Sequence, residues 1–445
     1  MEEIRSKIYT SAMRKYGKII PKEISERIEA ELNVLQRDTE LMCRFETCSH
    51  LIERIKKETS AYYTECDMFT YSSLVAYLLG ISMVDPLPPY YYCSKCGHFE
   101  FIVGQSCCLD LPEKICKKCS TLIKKDGYRI TPMILISERS ERIRISIVTS
   151  EKILSAGALE AENVPMTGIE ITYRGGITVL DSLEKRTGVD STNMITDEEA
   201  QKNYLEIIRK KDIIGIPGIY DSHRFCPVMS CVDISTFSDI IKMNEFSWNH
   251  GTWNNFTCKS VKEGIPFSKI ISCFDDLFFS LTDKEINANE SLRIAKGVGL
   301  CRDLNEKDSD ALRKKGLPEW IIDSIREIFC LTSKSYSCTV LLIQLRLAYF
   351  KTYYPLEFYC EWLNLYKEDF RNELSDCGIE NVCERVSSLL DKGENVPGVL
   401  LIYKDLLEKG YWIDGIDYVK VENSINKVSF DIDKKKKRII IELEG

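Results

Sequence analysis

Four cysteines in the first third of the chain have the spacing of a closed metal site. They form two Cys-x-x-Cys hooks, Cys93 with Cys96 and Cys116 with Cys119, and residues 97–115 separate the two hooks. Each hook can turn two thiolates toward one point, and the segment between them lets the hooks face each other around one zinc ion. The alternative, four buried free thiols, is disfavoured by this spacing. We therefore expect a structural zinc site, whose closed tetrahedral shell leaves no open position for chemistry.

The composition limits the class of protein. The 445 residues suffice for two or three domains, and no apolar run is long enough to cross a membrane. The 19 cysteines accompany an N-terminus without a signal-peptide core, so we expect a cytoplasmic protein with free thiols outside the hooks. The net charge of -8 disfavours a dedicated duplex-DNA binder, which usually carries a basic excess. It does not exclude a protein whose positive charge is concentrated in one cleft.

Local patterns place the hooks in a mixed α and β fold. Residues 2–37 predict two helices broken near Pro21, because Pro21 suits a first helical turn and apolar residues then recur at helical spacing. Further helices are predicted over 337–351 and between 356 and 410. At the end of the chain, residues 428–441 predict a β-hairpin whose tip carries four lysines.

The segment that carries the hooks resembles a known family. It is similar to the zinc-bearing palm insertion of the PolC-type DNA polymerase III alpha subunit, with PLPP at 86–89, LPEK at 111–114 and KKDG at 124–127 in the family's order. The match to the family's fingers domain is nearly continuous over 197–354. The resemblance implies an α+β fold: a remnant polymerase palm with a zinc knuckle insertion, a mostly helical fingers domain and a C-terminal β-hairpin.

The resemblance also implies a division of the chain into five parts. These are a palm-like N-terminal part (1–92), the four-cysteine knuckle (93–125), degenerate palm strands (126–175), a fingers-like helical domain (176–355) and a helical extension ending in the hairpin (356–445).

The family's phosphate loop is altered in this chain. The family has a glycine-rich Ser-Arg-Gly-Ser loop before a helix beginning Ser-Ser-Leu-Val-Ala, and its backbone amides can hold a triphosphate. Here Ser72 and Ser73 keep the helix start, but the loop has become ECDMFTY at 65–71, without glycine or arginine. Ser72 and Ser73 remain nucleotide-binding candidates by resemblance, at a poor phosphate site.

The family's metal-binding carboxylates are also largely missing. Its Asp-x-Asp pair, which would hold two Mg²⁺ ions, has no counterpart in residues 130–145, where Glu138 and Glu141 have the wrong spacing. Glu170 falls on the position of the family's third catalytic aspartate. A lone glutamate suits the octahedral geometry of Mg²⁺ poorly, so we interpret Glu170 as a vestigial catalytic residue.

The charged contacts of the family's fingers domain are thinned. Lys334 matches the lysine of a Pro-Lys-x-His pattern, but Tyr336 replaces its histidine, and Phe274 replaces an arginine. His250 is retained. By resemblance, Lys334 and His250 are candidates for nucleotide binding.

The residues that differ from the family are those that take part in its chemistry, whereas the core positions and the zinc hooks are retained. The leading hypothesis is a catalytically inactive PolC-like binding module that contacts DNA or a replisome protein. One alternative is an active DNA-directed DNA polymerase, a nucleotidyltransferase that uses Mg²⁺ with Glu170 and acids such as Glu138 or Asp181. The other is one half of a split polymerase, completed by a second chain.

Overall fold

The computed structural model describes residues 2–443 except 138–143, 156–167, 217–227, 249–252, 254, 301, 303, 329, 370–371, 374–380, 393, 395 and 415–427. In chain order the helices α1 to α9 are Glu2–Tyr16, Lys22–Gln36, Thr39–Glu58, Met68–Tyr71, Leu74–Leu78, Met133–Ile136, Glu151–Ser155, Gly175–Thr187 and Glu198–Arg209. Helices α10 to α19 are Phe237–Trp248, Asn255–Lys262, Phe274–Thr282, Ala288–Gly299, Glu306–Lys314, Glu319–Glu327, Lys334–Tyr353, Pro355–Leu365, Val382–Asp391 and Gly398–Glu408. Strands β1 to β9 are Tyr63–Cys66, Tyr90–Tyr92, Phe99–Phe101, Lys124–Asp126, Ile145–Thr149, Ile169–Tyr173, Ile413–Asp414, Val428–Asp433 and Arg438–Leu443.

The predicted mixed fold is confirmed as a mostly helical α+β structure with small sheets. The two N-terminal helices end and begin on either side of Pro21, as the sequence predicts. The helix predicted over 337–351 begins earlier, at Lys334, because the Ser333 side chain caps its N-terminus. The C-terminal hairpin is present as β8 and β9, and β7 adds a third, parallel strand beside β9.

A three-stranded sheet lies between two hydrophobic cores. Its order is β1-β5-β6, with β1 antiparallel and β6 parallel to the central strand. On one face, Ile145, Ile147 and Ile169 join the core of α1, α2 and α3. On the other, Tyr63 and Val148 join a core shared with α8, α16 and α17. Ile145 and Ile147 of the central strand are fully buried in the first of these cores.

Two further cores serve the remaining parts. Helices α12 to α15 pack their apolar residues into a separate cluster, which includes the buried Phe274 and Leu277. The knuckle, residues 93–125, has a small core in which Leu111 and Ile123 pack beside the cysteines, together with Tyr91 of strand β2. The three-stranded sheet β3-β2-β4 connects this small core to the rest of the chain.

Candidate metal centre and candidate active site

The four cysteines of the knuckle come together as the sequence predicts. Their sulfur atoms all lie within 4.8 Å of one another, with 3.4 Å between the Cys93 and Cys119 sulfurs and 3.5 Å between those of Cys96 and Cys116. Sulfurs around one zinc at about 2.3 Å would be about 3.8 Å apart in a tetrahedron, so the arrangement fits this ion. When bound, zinc would supply a structural cross-link between the two hooks.

Both hooks use the same backbone turn. The amide of Cys93 donates to the carbonyl of His98 (2.8 Å) and that of Gly97 donates to Cys93 (2.9 Å). In the second hook the amide of Cys116 donates to Thr121 (2.8 Å), and that of Ser120 donates to Cys116 (2.8 Å). This turn has a positive φ at its fifth residue, counted from the first cysteine, and the angle is +69° at Gly97 and 55° at Ser120. The second hook therefore places a serine where the first has a glycine.

A hydroxyl that sequence reasoning missed lies beside the sulfurs. Thr121 Oγ1 is 3.0 Å from the Cys119 sulfur and 3.5 Å from the Cys93 sulfur, so this hydroxyl can donate to a thiolate. Three lysines lie next to the cysteines in the chain, and all three side chains are exposed: Lys95, Lys117 and Lys118. The sequence did contain a signal for this contact, because Thr121 directly follows Ser120, the turn residue after the second hook.

A buried polar cluster anchors the knuckle to helix α1. The ammonium of Lys15 donates to the hydroxyl of Tyr77 (2.6 Å) and pairs with Asp126 and, at 3.4 Å, with Asp85. Burial opposes the charge on Lys15, but the neighbouring carboxylates raise its pKa. Tyr90 also donates to Asp85, at 2.6 Å. The root of the knuckle is therefore held by charge-assisted bonds inside the protein.

The second candidate site, around Glu170, lies on one face of the β1-β5-β6 sheet. Strand register places Glu65, Ser146 and Glu170 directly beside one another, one on each strand, and we call them the sheet row. Adjacent strands lie about 4.8 Å apart, so the two glutamate backbones are separated by about 10 Å. The central strand contributes a hydroxyl and no carboxylate. Within the described ranges, no group of three or more potential metal ligands forms here.

Each glutamate of the sheet row has an arginine neighbour. The guanidinium of Arg174 donates to Glu65 at 3.0 Å, and Tyr63 also donates to Glu65 at 2.9 Å. Arg144 lies 3.7 Å from Glu170. Both pairs are solvent-exposed and contribute little to stability, but they balance the charge of the two carboxylates locally. Neither arginine was predicted from sequence, because its partner is brought close only by strand register.

The two serines expected to bind nucleotide are fully buried and already bonded. The Ser73 hydroxyl donates to the carboxylate of Glu31 at 2.7 Å, and the amides of Leu74 and Val75 donate to the same carboxylate at 3.0 and 2.9 Å. The Ser72 hydroxyl donates to the carbonyl of Phe69 at 2.8 Å. The amides that would face a phosphate thus face an internal carboxylate.

Glu31 itself was missed by the sequence analysis. It is fully buried on helix α2 and pairs with Arg27, whose guanidinium also donates to the carbonyl of Ser72 at 2.8 Å. A signal did exist, because Glu31 falls on the apolar face of the helix, next to Leu32 and three residues after Ile28. A charged residue at a core position predicts a buried partner.

The lysine assigned to nucleotide binding also acts inside the protein. The ammonium of Lys334 donates to the carbonyls of Ser106 and Tyr128, both at 2.6 Å, and its amide donates to Asp275 at 2.8 Å. Asp275 also accepts from the amide of Thr131 at 2.7 Å. This set of bonds ties α16 to the knuckle segment. Phe274, which replaces the family's arginine, is a core residue.

The remaining candidates of the sequence analysis do not join either site in the part of the chain that the structure describes. Asp181 is buried on α8 and pairs with Lys185 at 2.9 Å. Glu138 and His250 lie outside the described residues. No helix in the described ranges has both the length and the apolar character needed to span a membrane.

Comparison with curated proteins shows which proteins are similar to this chain in sequence. The chain is 22% identical to the DNA polymerase III PolC-type of Caldanaerobacter subterraneus, over 95% of this chain and 38% of that protein. It is 23% identical to the one from Streptococcus agalactiae and 22% to the one from Bacillus subtilis, in each case over 94% of this chain and 37% of the relative. No protein-family model matches the chain.

The chain is thus a partial homologue of PolC-type DNA polymerase III, which confirms the resemblance read from the sequence. The homology extends over most of the chain, yet the chain spans less than two fifths of the length of these relatives. The alignments run over 538 to 546 residues, more than the 445 of this chain, so the relatives carry internal segments that it lacks.

Proposed function

We propose that this chain is a catalytically inactive PolC-like protein that acts as a binding module in a DNA-replication setting. The observation that carries the proposal is the sheet row, where Ser146 stands between Glu65 and Glu170. Two-metal nucleotidyl transfer needs carboxylates that bridge ions about 3.5–4 Å apart. Two glutamates on strands about 10 Å apart, each with an arginine neighbour, do not meet that need.

The contacts of the residues considered for nucleotide binding support the same proposal. An incoming triphosphate needs free backbone amides and free cationic side chains. In this chain Glu31 occupies the amides of Leu74 and Val75, and Lys334 is 5% exposed, with its ammonium bound to two carbonyls. Displacing these internal partners would leave buried polar groups unpaired, at a cost of about 1–3 kcal/mol each.

We further propose that the knuckle holds one structural zinc ion and that Mg²⁺ has a role only if the chain is active.

The internal segments that the relatives have and this chain lacks are compatible with the split-polymerase alternative as well. In that case a second polypeptide would supply the missing carboxylates. The active-enzyme alternative would rely on Glu170 with Asp181 or Glu138, and Asp181 is already paired with Lys185.

A primer-extension assay tests the proposal. The purified chain, with Mg²⁺ or Mn²⁺, is expected not to extend a primed template, and Glu170→Ala should not change this result. The exposed Glu151, which lies outside the sheet row, gives the matched control Glu151→Ala. Extension that is lost in Glu170→Ala and kept in Glu151→Ala would show an active polymerase. Extension that arises only when a co-expressed second polypeptide is added would establish the split enzyme instead.

A further inference from the structure

The knuckle exposes an unusual share of apolar side chains. Twelve large apolar side chains are exposed among the described residues, and four of them lie between residues 101 and 122. These are Phe101, Val103, Ile115 and Leu122, with exposed fractions of 39, 96, 57 and 55%. Single exposed apolar side chains need no explanation, whereas a concentration of them marks an interaction surface.

Two of the four form a defined pair. Ile115 and Leu122 are directly opposite each other in an antiparallel bridge, so their side chains lie on the same face. Their chain neighbours Cys116 and Ile123 are buried in the small knuckle core. Because side chains alternate along extended backbone, the pair points away from that core and into solvent.

Unpaired lysines accompany this apolar pair. Lys117 and Lys118 follow Ile115 in the second hook, and Lys124 shares the outward face with Leu122 because Ile123 between them points inward. All three are exposed, and none of them forms an ion pair with any described residue. Lys114 differs, because it pairs with Glu100 and lies over the ring of Tyr91. In a chain of net charge -8, these three lysines place positive charge on the solvent-facing side of the knuckle.

We propose that Ile115, Leu122, Lys117, Lys118 and Lys124, here called the knuckle surface, bind an acidic segment of a partner protein that inserts apolar side chains against the Ile115–Leu122 pair. The proposal rests on the proposed function and deepens it by naming the surface and the chemistry of the partner. Protein interfaces combine an apolar centre with a charged rim, which matches this arrangement. Binding to DNA rests on phosphate contacts, which would leave the two aliphatic side chains without a partner.

Peptide selection tests this proposal with the intact, zinc-loaded chain. A display library of random linear peptides is selected on the wild-type chain and counter-selected on Leu122→Glu, and the affinity of each enriched peptide is then measured by fluorescence anisotropy. A second variant, Lys117→Glu with Lys118→Glu, tests the charge. Leu300→Glu is the matched control, since Leu300 is 65% exposed and lies on another part of the chain. Unchanged zinc content and thermal unfolding establish that each variant is folded.

The enriched peptides are expected to be acidic and to contain apolar residues. Their affinity should fall about tenfold or more in Leu122→Glu and in the lysine variant, as for central interface residues, and stay unchanged in Leu300→Glu. Enrichment of basic or uncharged peptides, or no enrichment, would overturn the proposal. So would a duplex oligonucleotide whose binding the lysine variant abolishes, or a homodimer that Leu122→Glu dissociates in sedimentation. None of these results depends on primer extension, so failure here and failure of the inactive assignment are distinguishable.

Discussion

The knuckle and the sheet row both gather groups that can bind metals, but they satisfy those groups differently. In the knuckle four thiols face one another, and the nearby lysines point outward to solvent. In the sheet row Glu65 and Glu170 are held apart by Ser146, and each has an arginine beside it. Acidic side chains need a bound metal ion when no positively charged side chain of the protein lies close to them. They need no metal ion when such a side chain is present.

Two other carboxylates extend this comparison. Glu31 is satisfied by backbone amides, a hydroxyl and Arg27. Glu245 is fully buried and accepts a hydrogen bond from Thr332 at 2.8 Å, and burial raises its pKa to about 8. An arginine, backbone amides and a proton are thus three ways in which this chain neutralises acidic groups, the proposed zinc ion would be a fourth, and each makes a different prediction.

The largest effect is expected from removing the metal. Elemental analysis under reducing, chelator-free conditions should give one zinc per chain, and Cys116→Ser should lower the free energy of unfolding by at least about 3 kcal/mol, because structural zinc contributes folding energy directly. Cys43→Ser, at an exposed cysteine outside the cluster, should leave zinc content and stability unchanged. Clearly substoichiometric zinc in the wild-type chain would remove the contrast between the knuckle and the sheet row.

Replacing Glu31 should have the next largest effect. Glu31→Gln removes the charge and turns an amide donor toward backbone donors, so we expect a loss of about 2–3 kcal/mol in chemical denaturation. Glu26→Gln, at an exposed surface pair on the same helix, should change stability by less than about 0.5 kcal/mol. Equal stability of both variants would mean that the amides of α5 do not depend on an internal carboxylate, which would reopen this helix start as a phosphate site.

The protonated state of Glu245 predicts a pH dependence. Its pKa is raised from 4.5 to about 8 in the folded chain, so the folded state keeps a proton that the unfolded state releases. Stability from this group is complete below about pH 4.5 and is lost as pH rises toward about 8, with a slope approaching 1.4 kcal/mol per pH unit. Glu245→Gln should flatten the measured dependence over this range. The exposed control Glu263→Gln should not flatten it, and identical slopes in both variants would contradict the assignment.

The smallest expected effect is a difference between the two hooks in their response to substitution of the turn residue. Ser120 has a positive φ, so replacing it with glycine relieves strain in the folded chain but also gives the unfolded chain more entropy. Because these two effects offset each other, Ser120→Gly should change the free energy of zinc binding by less than about 0.5 kcal/mol. Gly97→Ser adds a side chain at a positive φ, and its Cβ would lie 3.1 Å from a methyl carbon of Ile19, so we expect a loss of about 1–2 kcal/mol. Chelator competition for zinc measures both changes, and equal losses would show that the hooks are equivalent.

The sequence by itself determined the features that depend on local spacing. The two hooks required only Cys-x-x-Cys pairs, and the break between α1 and α2 followed from Pro21. The loss of the glycine loop at 65–71 and the lone Glu170 could also be recognised from the sequence, because the absence of a residue type is visible without a structure.

Tertiary structure alone decided how the remaining polar groups are satisfied. Ser146 stands beside Glu170 through strand register, Glu31 reaches the start of α5 from a different helix, and Lys334 bonds to carbonyls more than two hundred residues away. These partners are distant in the chain and become neighbours only when apolar faces pack. Hydrophobic periodicity specifies which face of an element is buried, but not which buried polar group it will meet across the core.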